Sequence, residues 1–469
     1  MSPESIAAIV LRFLRFVDRN LIIFIVLVAV FLLFKVTINF NYEPNFIKRP
    51  VEYQLEKLNP DAQLYYSLAQ NLVKGTGYYD TIRNDETMPS IGHPVFLAVF
   101  CIIGGLPPAL FSWIFFMLSF ALLAVAVRIY CKSNLLTVLS LWLLGTFFKR
   151  IWWYSANVET TIIFTNMLLA VTLSVFYRRN FSMLWAIISG LALYIHLIIR
   201  PLFLFPTHIC FVVFLALILY SYIRNRTYPA PGFIKSWFVI LISAECLIGL
   251  TYTYSQIRYH DTRLVTGTYG VYPLYAGNTM YRAPKSIFDT RINRPEEFFK
   301  EFHMVRDNPG MTWPQRHKIL MQKVISYWQH HPVRAITGWW WRFRQFLGLW
   351  SGNFAWERPL TVVHSFSTSA LLVLTIFRIA SGFLPKKDIA SEPKTPQSVL
   401  RYITNSLRGM KNSLGLIFTA LFLIYCGIHA MFSYVGFRYA SVTIPLLVVA
   451  DIYLLYENIC VFFARRASQ

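Results

Sequence analysis

The chain has 469 residues, 56% of them hydrophobic and only 14% charged, with a mean hydropathy of +0.48. A soluble globular protein carries about 25% charged residues, so this composition excludes an ordinary water-soluble domain. The net charge is +22, from 44 Lys and Arg against 22 Asp and Glu; in such an apolar chain it points to membrane topology and an anionic lipid partner, with no nucleic acid.

Apolar segments lie near 20–40, 108–130, 134–152, 159–177, 182–199, 202–223, 236–255, 360–384, 413–433 and 439–462. About 20 apolar residues cross about 30 Å of hydrocarbon as a helix. The pattern therefore predicts an all-α polytopic membrane protein of about ten transmembrane helices, one module over 1–469. The first apolar run lacks a small-residue cleavage site and reads as a retained anchor. Placing the N-terminus in the cytoplasm puts Arg12, Arg15, Arg19, Arg128, Lys132, Arg178, Arg179, Arg224, Arg226 and Lys235 inside, with the basic linker 385–412. That satisfies the positive-inside rule. Two long segments, 41–93 and 256–358, then face outward. Four cations, Lys149, Arg150, Arg200 and Arg438, fall in short outer connections. Snorkelling toward headgroups accounts for such cations; so does an anionic ligand at the outer surface.

In the first outer segment, NPDAQLYYSLAQNLVKGTGYY places Asn59 as N-cap, Pro60 at the first helical position and Gly75 at the stop. Leu64, Tyr65, Leu68, Ala69, Leu72 and Val73 recur at helical spacing. These signals predict an amphipathic helix over 60–74, lying on the membrane surface. Asp61 falls in its first turn, where the dipole favours a carboxylate; helix stabilisation and catalysis are both open to it. His93-Pro94 precedes an apolar stretch at 94–106, too short to span. Glu159 stands at the outer mouth of a span, where an acid is costly unless paired or wet. It is either a helix-start carboxylate or part of a functional site. Glu245 and Asp451 lie inside spans and His196 near the end of one. In the second outer segment, 316–346 reads as helical pieces interrupted at Pro332, with Trp339, Trp340 and Trp341 at an interface. The six cysteines sit in or beside apolar segments, and the ten histidines form no metal-binding spacing. No metal and no other cofactor is expected.

These residues, in this order, resemble the GT-C superfamily of polyprenyl-phosphate-sugar glycosyltransferases, which includes protein O-mannosyltransferases and lipid A aminoarabinose transferases. The likeness rests on Asp61 in D-A-x-x-Y, on His93-Pro94, on Glu159, on Gly190 followed by Arg200-Pro201, on Tyr275-Ala-Gly-Asn278, and on Arg438-Tyr439. The chain has a lone Asp61 where relatives often carry an acidic pair, and His93 where they often carry Lys. The resemblance implies an inverting transfer of a sugar from a polyprenyl phosphate, such as undecaprenyl phosphate, to a hydroxyl of an envelope glycan, lipid or protein. Asp61 would be the general base, with Glu159 assisting. His93, Arg200, Arg438 and Arg150 would hold the donor phosphate, and Tyr65, Tyr275 and Asn278 would contact substrate. It places the chain in a bacterial inner membrane with its site facing the periplasm. Rival readings are a multi-pass transporter or flippase of lipid-linked or anionic substrates, a scaffold for envelope assembly, and a glycan polymerase or ligase.

Overall fold

A computed structural model describes residues 16, 18–42, 48–58, 61–78, 89–146, 158–201, 204–225, 232–259, 274–275, 278, 300, 303–305, 308, 310–347, 358–383, 413–432 and 443–466. Arg150, Arg438, Tyr439, Asn59, Pro60 and the linker 385–412 lie outside these residues. Among the described residues the chain is helical and contains no strand.

The helices are α1 (Leu21–Tyr42), α2 (Val51–Leu58), α3 (Ala62–Lys74) and α4 (Gly92–Leu97), the last running into a π-helix at Ala98–Ile103. Then come α5 (Pro108–Cys131), α6 (Asn134–Thr146), α7 (Val158–Arg178), α8 (Met183–Ile199), α9 (Leu204–Asn225) and α10 (Gly232–Tyr259). The rest are α11 (Trp313–His330), α12 (Pro332–Phe346), α13 (Arg358–Phe383), α14 (Leu414–Phe432) and α15 (Ile444–Arg466). A helix lies in each of the ten apolar segments as far as these are described. Four of them, α5, α7, α10 and α15, are long and apolar enough to cross a membrane, and several others are shorter apolar helices. The protein is accordingly a membrane protein. The helices α1 and α10 turn Ile22, Ile25, Leu250 and Ile257 outward, as a lipid-facing surface requires.

The core forms around α15. It packs against α5, α6, α7, α13 and α14, and Ile444, Leu447, Val448, Val449 and Ala450 are fully enclosed. Small residues permit the closest approaches, as expected where lipid removes the usual hydrophobic drive between helices. A Cβ on Gly415 would stand 2.9 Å from the Leu454 backbone nitrogen, and one on Gly190 would stand 2.6 Å from the Ile240 carbonyl oxygen. Several polar groups in the core are paired. The Ser174 and Tyr453 hydroxyls meet at 2.6 Å. Buried Glu457 accepts from the Tyr130 hydroxyl (2.7 Å), the Gly415 N–H (2.9 Å) and the Ser413 hydroxyl, and pairs with Arg378 at 3.2 Å.

Candidate functional site

The short helices α2–α4 sit at the start of α5 and the end of α8. Gln54 ties α2 to α5 by accepting from the Ala109 N–H at 3.2 Å. The amphipathic helix begins at Ala62, two residues later than the 60–74 expectation, and stops at Gly75 in the left-handed conformation (φ 69°). Leu64, Leu68 and Ala69 are buried as the spacing predicted, while Val73 is exposed. Asp61 is the residue preceding the helix and lies outside its first turn. Its side chain makes no capping hydrogen bond, so N-capping does not account for this carboxylate. Tyr65 donates its backbone N–H to the Asp61 carbonyl at 3.1 Å, and residues four apart share a helix face.

Beyond Gly75 the chain is fastened to the end of α8. The buried Tyr78 hydroxyl is within reach of the Pro89 carbonyl at 2.9 Å and the Ser90 carbonyl at 3.2 Å. The Ser90 hydroxyl donates to the Ile199 carbonyl at 2.8 Å. Gly92 lies against the same backbone: a Cβ there would be 2.6 Å from Ile198 and Ile199 main-chain atoms. The 94–106 stretch is helical as far as Ile103 and packs through Leu97, Ala98 and Cys101 against Phe111 and Phe115.

His93 follows Gly92 directly and is buried. The edge of Tyr65 meets its ring at a centroid distance of 4.9 Å and an interplanar angle of 85°. Its Nδ1 lies 3.1 Å from the Thr161 hydroxyl on α7. Thr161 already donates its proton to the Val158 carbonyl at 2.8 Å. With that proton so placed, the hydroxyl has a lone pair to accept from a protonated Nδ1. One turn along α7 the arrangement repeats: Thr165 donates to the Ile162 carbonyl, and its hydroxyl lies 3.1 Å from His196 Nδ1.

Glu159 opens α7 and is 2% exposed. Arg200 ends α8 in an extended conformation (φ −136°, ψ 93°). The cause is local, because Pro201 disfavours helical geometry in the residue before it. The Tyr425 hydroxyl on α14 lies within charge range of both Arg200 and Glu159, and His196 also feels Arg200. The structure thus gathers Tyr65, His93, Glu159 and Arg200 at one end of α7, with Asp61 one helical turn before Tyr65.

Tyr275 and Asn278 belong to a second cluster. Tyr275 is fully buried against Leu320 and Val324 of α11. The Asn278 side-chain oxygen accepts from Trp328 at 3.0 Å and from Arg342 at 3.5 Å, and its amide donates to the Leu274 carbonyl. These contacts give both residues a packing role. Arg342 donates to the Ala430 carbonyl at 2.6 Å, and burial pushes its guanidinium down to about 10. The break between α11 and α12 falls at His331, beside Pro332 as expected. The tryptophans do not form one belt. Trp339 donates to the Gly427 carbonyl at 3.0 Å and stacks on Phe343, Trp341 is buried, and Trp340 is 48% exposed. Successive helical residues are rotated by about 100°, so three in a row cannot share a face.

Of the intramembrane acids, Glu245 pairs with His208 at 2.7 Å and Asp451 accepts from Ser367. Sequence reasoning missed Thr161, Thr165, Tyr425 and Ser90. Each sits in an apolar or small-residue run whose spacing gives no sign of a partner. Among the described residues no group of three His, Cys, Asp or Glu is placed to hold a metal ion. No protein-family model, no curated protein and no solved structure matches the chain.

Proposed function

We propose that the chain is a membrane glycosyltransferase of the GT-C type that moves a sugar from a polyprenyl-phosphate donor to a hydroxyl acceptor. On this reading about ten helices span a bacterial inner membrane, and the site faces the periplasm. The observation that supports it is that His93 bonds Thr161, two residues along α7 from Glu159, while the neighbouring Gly92 packs on the α8 backbone just before Arg200, beside the helix that Asp61 precedes. Cations serve a phosphate leaving group by stabilising the charge it develops; Arg200 and His93 supply this. The acceptor hydroxyl needs a base. Asp61 takes its proton while the oxygen attacks the anomeric carbon from the face opposite the phosphate. The bond from that carbon to the phosphate oxygen breaks, the phosphate keeps the electron pair, and the configuration inverts. Glu159 orients the acceptor or the sugar. The acceptor is an envelope glycan, a lipid or a protein.

The test is Asp61→Asn, with insertion confirmed and transfer from a lipid-phosphate sugar followed in membranes. Loss of a general base lowers turnover by about 10²–10⁴-fold. Near-normal turnover removes Asp61 from that role. A transporter or flippase would move the lipid-linked sugar without cleaving it, so absence of any transfer product in the parent protein favours that rival.

A further inference from the structure

We propose that a cleft at the opposite end of α7 holds the phosphate of an anionic membrane phospholipid. The cleft has a volume of 1340 Å³ and is walled by the ends of α5, α7 and α15 with the starts of α1 and α6. Nineteen residues of α7 separate Glu159 from Arg178, about 28 Å at 1.5 Å per residue. That is close to the thickness of a hydrocarbon core, so the two sites lie at opposite waterlines. The proposal is independent of the sugar-transfer reading.

Five cations line the cleft: Arg19, Arg128, Lys132, Arg178 and Arg179. The carboxylate in it, Asp18, is engaged by the Ser133 hydroxyl at 2.7 Å and the Leu135 N–H at 2.9 Å. Glu457, behind it, is committed to Arg378, Tyr130, Ser413 and Gly415. Among the described residues the carboxylate pairs are His208–Glu245 and Arg378–Glu457, and neither involves any of the five cations. Arg128 donates to the Arg19 carbonyl at 2.7 Å, and Arg178 donates to the Ile129 carbonyl at 3.1 Å and to that of Tyr130. Backbone acceptors fix these guanidinium groups without cancelling their charge. A fixed guanidinium suits bidentate binding of phosphate.

Topology alone explains basic residues in short connections. It does not require that they converge on one cavity, nor that apolar side chains flank them. Leu21, Leu135 and Ile459 share this cleft and are 61%, 49% and 41% exposed. Exposed apolar walls beside a cationic floor match the two ends of a phospholipid: acyl chains against the former, headgroup phosphate on the latter. Free phosphate satisfies only the second.

The experiment uses the full chain in neutral-detergent micelles, stripped of lipid and titrated with phosphatidylglycerol or phosphatidylcholine, with native mass spectrometry as readout. Phosphatidylglycerol is expected to bind at least about tenfold tighter, each surface cation adding to the attraction. The variant Arg19→Gln/Lys132→Gln/Arg179→Gln removes side chains that hold none of the contacts described, and it is expected to abolish the preference while eluting as the parent does. Lys132→Gln alone, an exposed residue, guards against a folding failure and should weaken binding about threefold. Equal binding of the two lipids overturns the proposal, as does a preference that survives these variants. Displacement of the lipid by tens of millimolar inorganic phosphate assigns the cleft to a soluble anion and overturns it too.

Discussion

Replacing Gly92 with alanine probes whether the first polar segment and the end of α8 act as one unit. The added Cβ would stand 2.6 Å from the Ile198 carbon and oxygen and from the Ile199 nitrogen. All three are main-chain atoms, so no side chain can rotate away. Ordinary contact begins near 3.4 Å, and the two backbones must part by the difference, about 0.8 Å. Overpacking of this kind costs about 1–3 kcal/mol. The movement also carries the adjacent His93 away from Thr161 and stretches the bond between Ser90 and Ile199. A misplacement of about 1 Å in a catalytic array lowers the rate by about 10²-fold. Thermal unfolding in micelles should fall by a few degrees, on the order expected for that free energy, and transfer activity in membranes should fall about a hundredfold. Gly249→Ala is the control, because a Cβ there meets nothing within 4 Å. A Gly92→Ala protein as stable and as active as its parent would refute the reasoning.

Three other outcomes follow from single contacts. Thr161→Val removes the hydrogen-bond partner of His93 Nδ1; stability should drop by about 1–3 kcal/mol with loss of the proposed transfer, and Thr161→Ser should restore both. Glu457→Ala strips the shared partner from Arg378, Tyr130, Ser413 and Gly415 and should cost about 3–5 kcal/mol, seen as aggregation on extraction. Tyr78→Phe should speed hydrogen exchange at residues 89–92, whose entry it holds. Burial holds the Tyr78 phenol well above its ordinary value of 10.0. Above that pH the unfolded phenol loses its proton while the folded one keeps it, so its share of stability is present below pH 10 and fades as the pH rises. Alkaline unfolding of parent and Tyr78→Phe should therefore converge.

The helices were legible because their signals are local. Apolar runs marked the four long apolar helices and several shorter ones, and Gly75 and Pro332 marked a stop and a break. Within the candidate site the legible residues were the charged ones, since a charge in apolar surroundings stands out in a sequence. Thr161 and Thr165 were not legible. A threonine in a helix reads as filler until its hydroxyl is seen bonded back to the carbonyl three residues before it and facing a histidine. Tyr425 is one aromatic among many, and only the fold places Arg200 and Glu159 beside it. Tyr275 and Asn278 came from a motif, and the fold adds contacts that the motif did not show: Tyr275 packs on α11, and Asn278 bonds Trp328 of α11 and Arg342 of α12.

Because α15 fills the space among helices translated long before it, assembly has a built-in delay. At about 5–20 residues per second, the ribosome needs on the order of 15–50 s to travel from Arg178 to Ile444. Throughout that interval Tyr130 and Ser174 wait in the bilayer without Glu457 and Tyr453, their eventual companions. The nascent bundle is therefore a substrate for chaperones and membrane proteases until its last helix arrives, and mutations at that interface should show first as lower abundance.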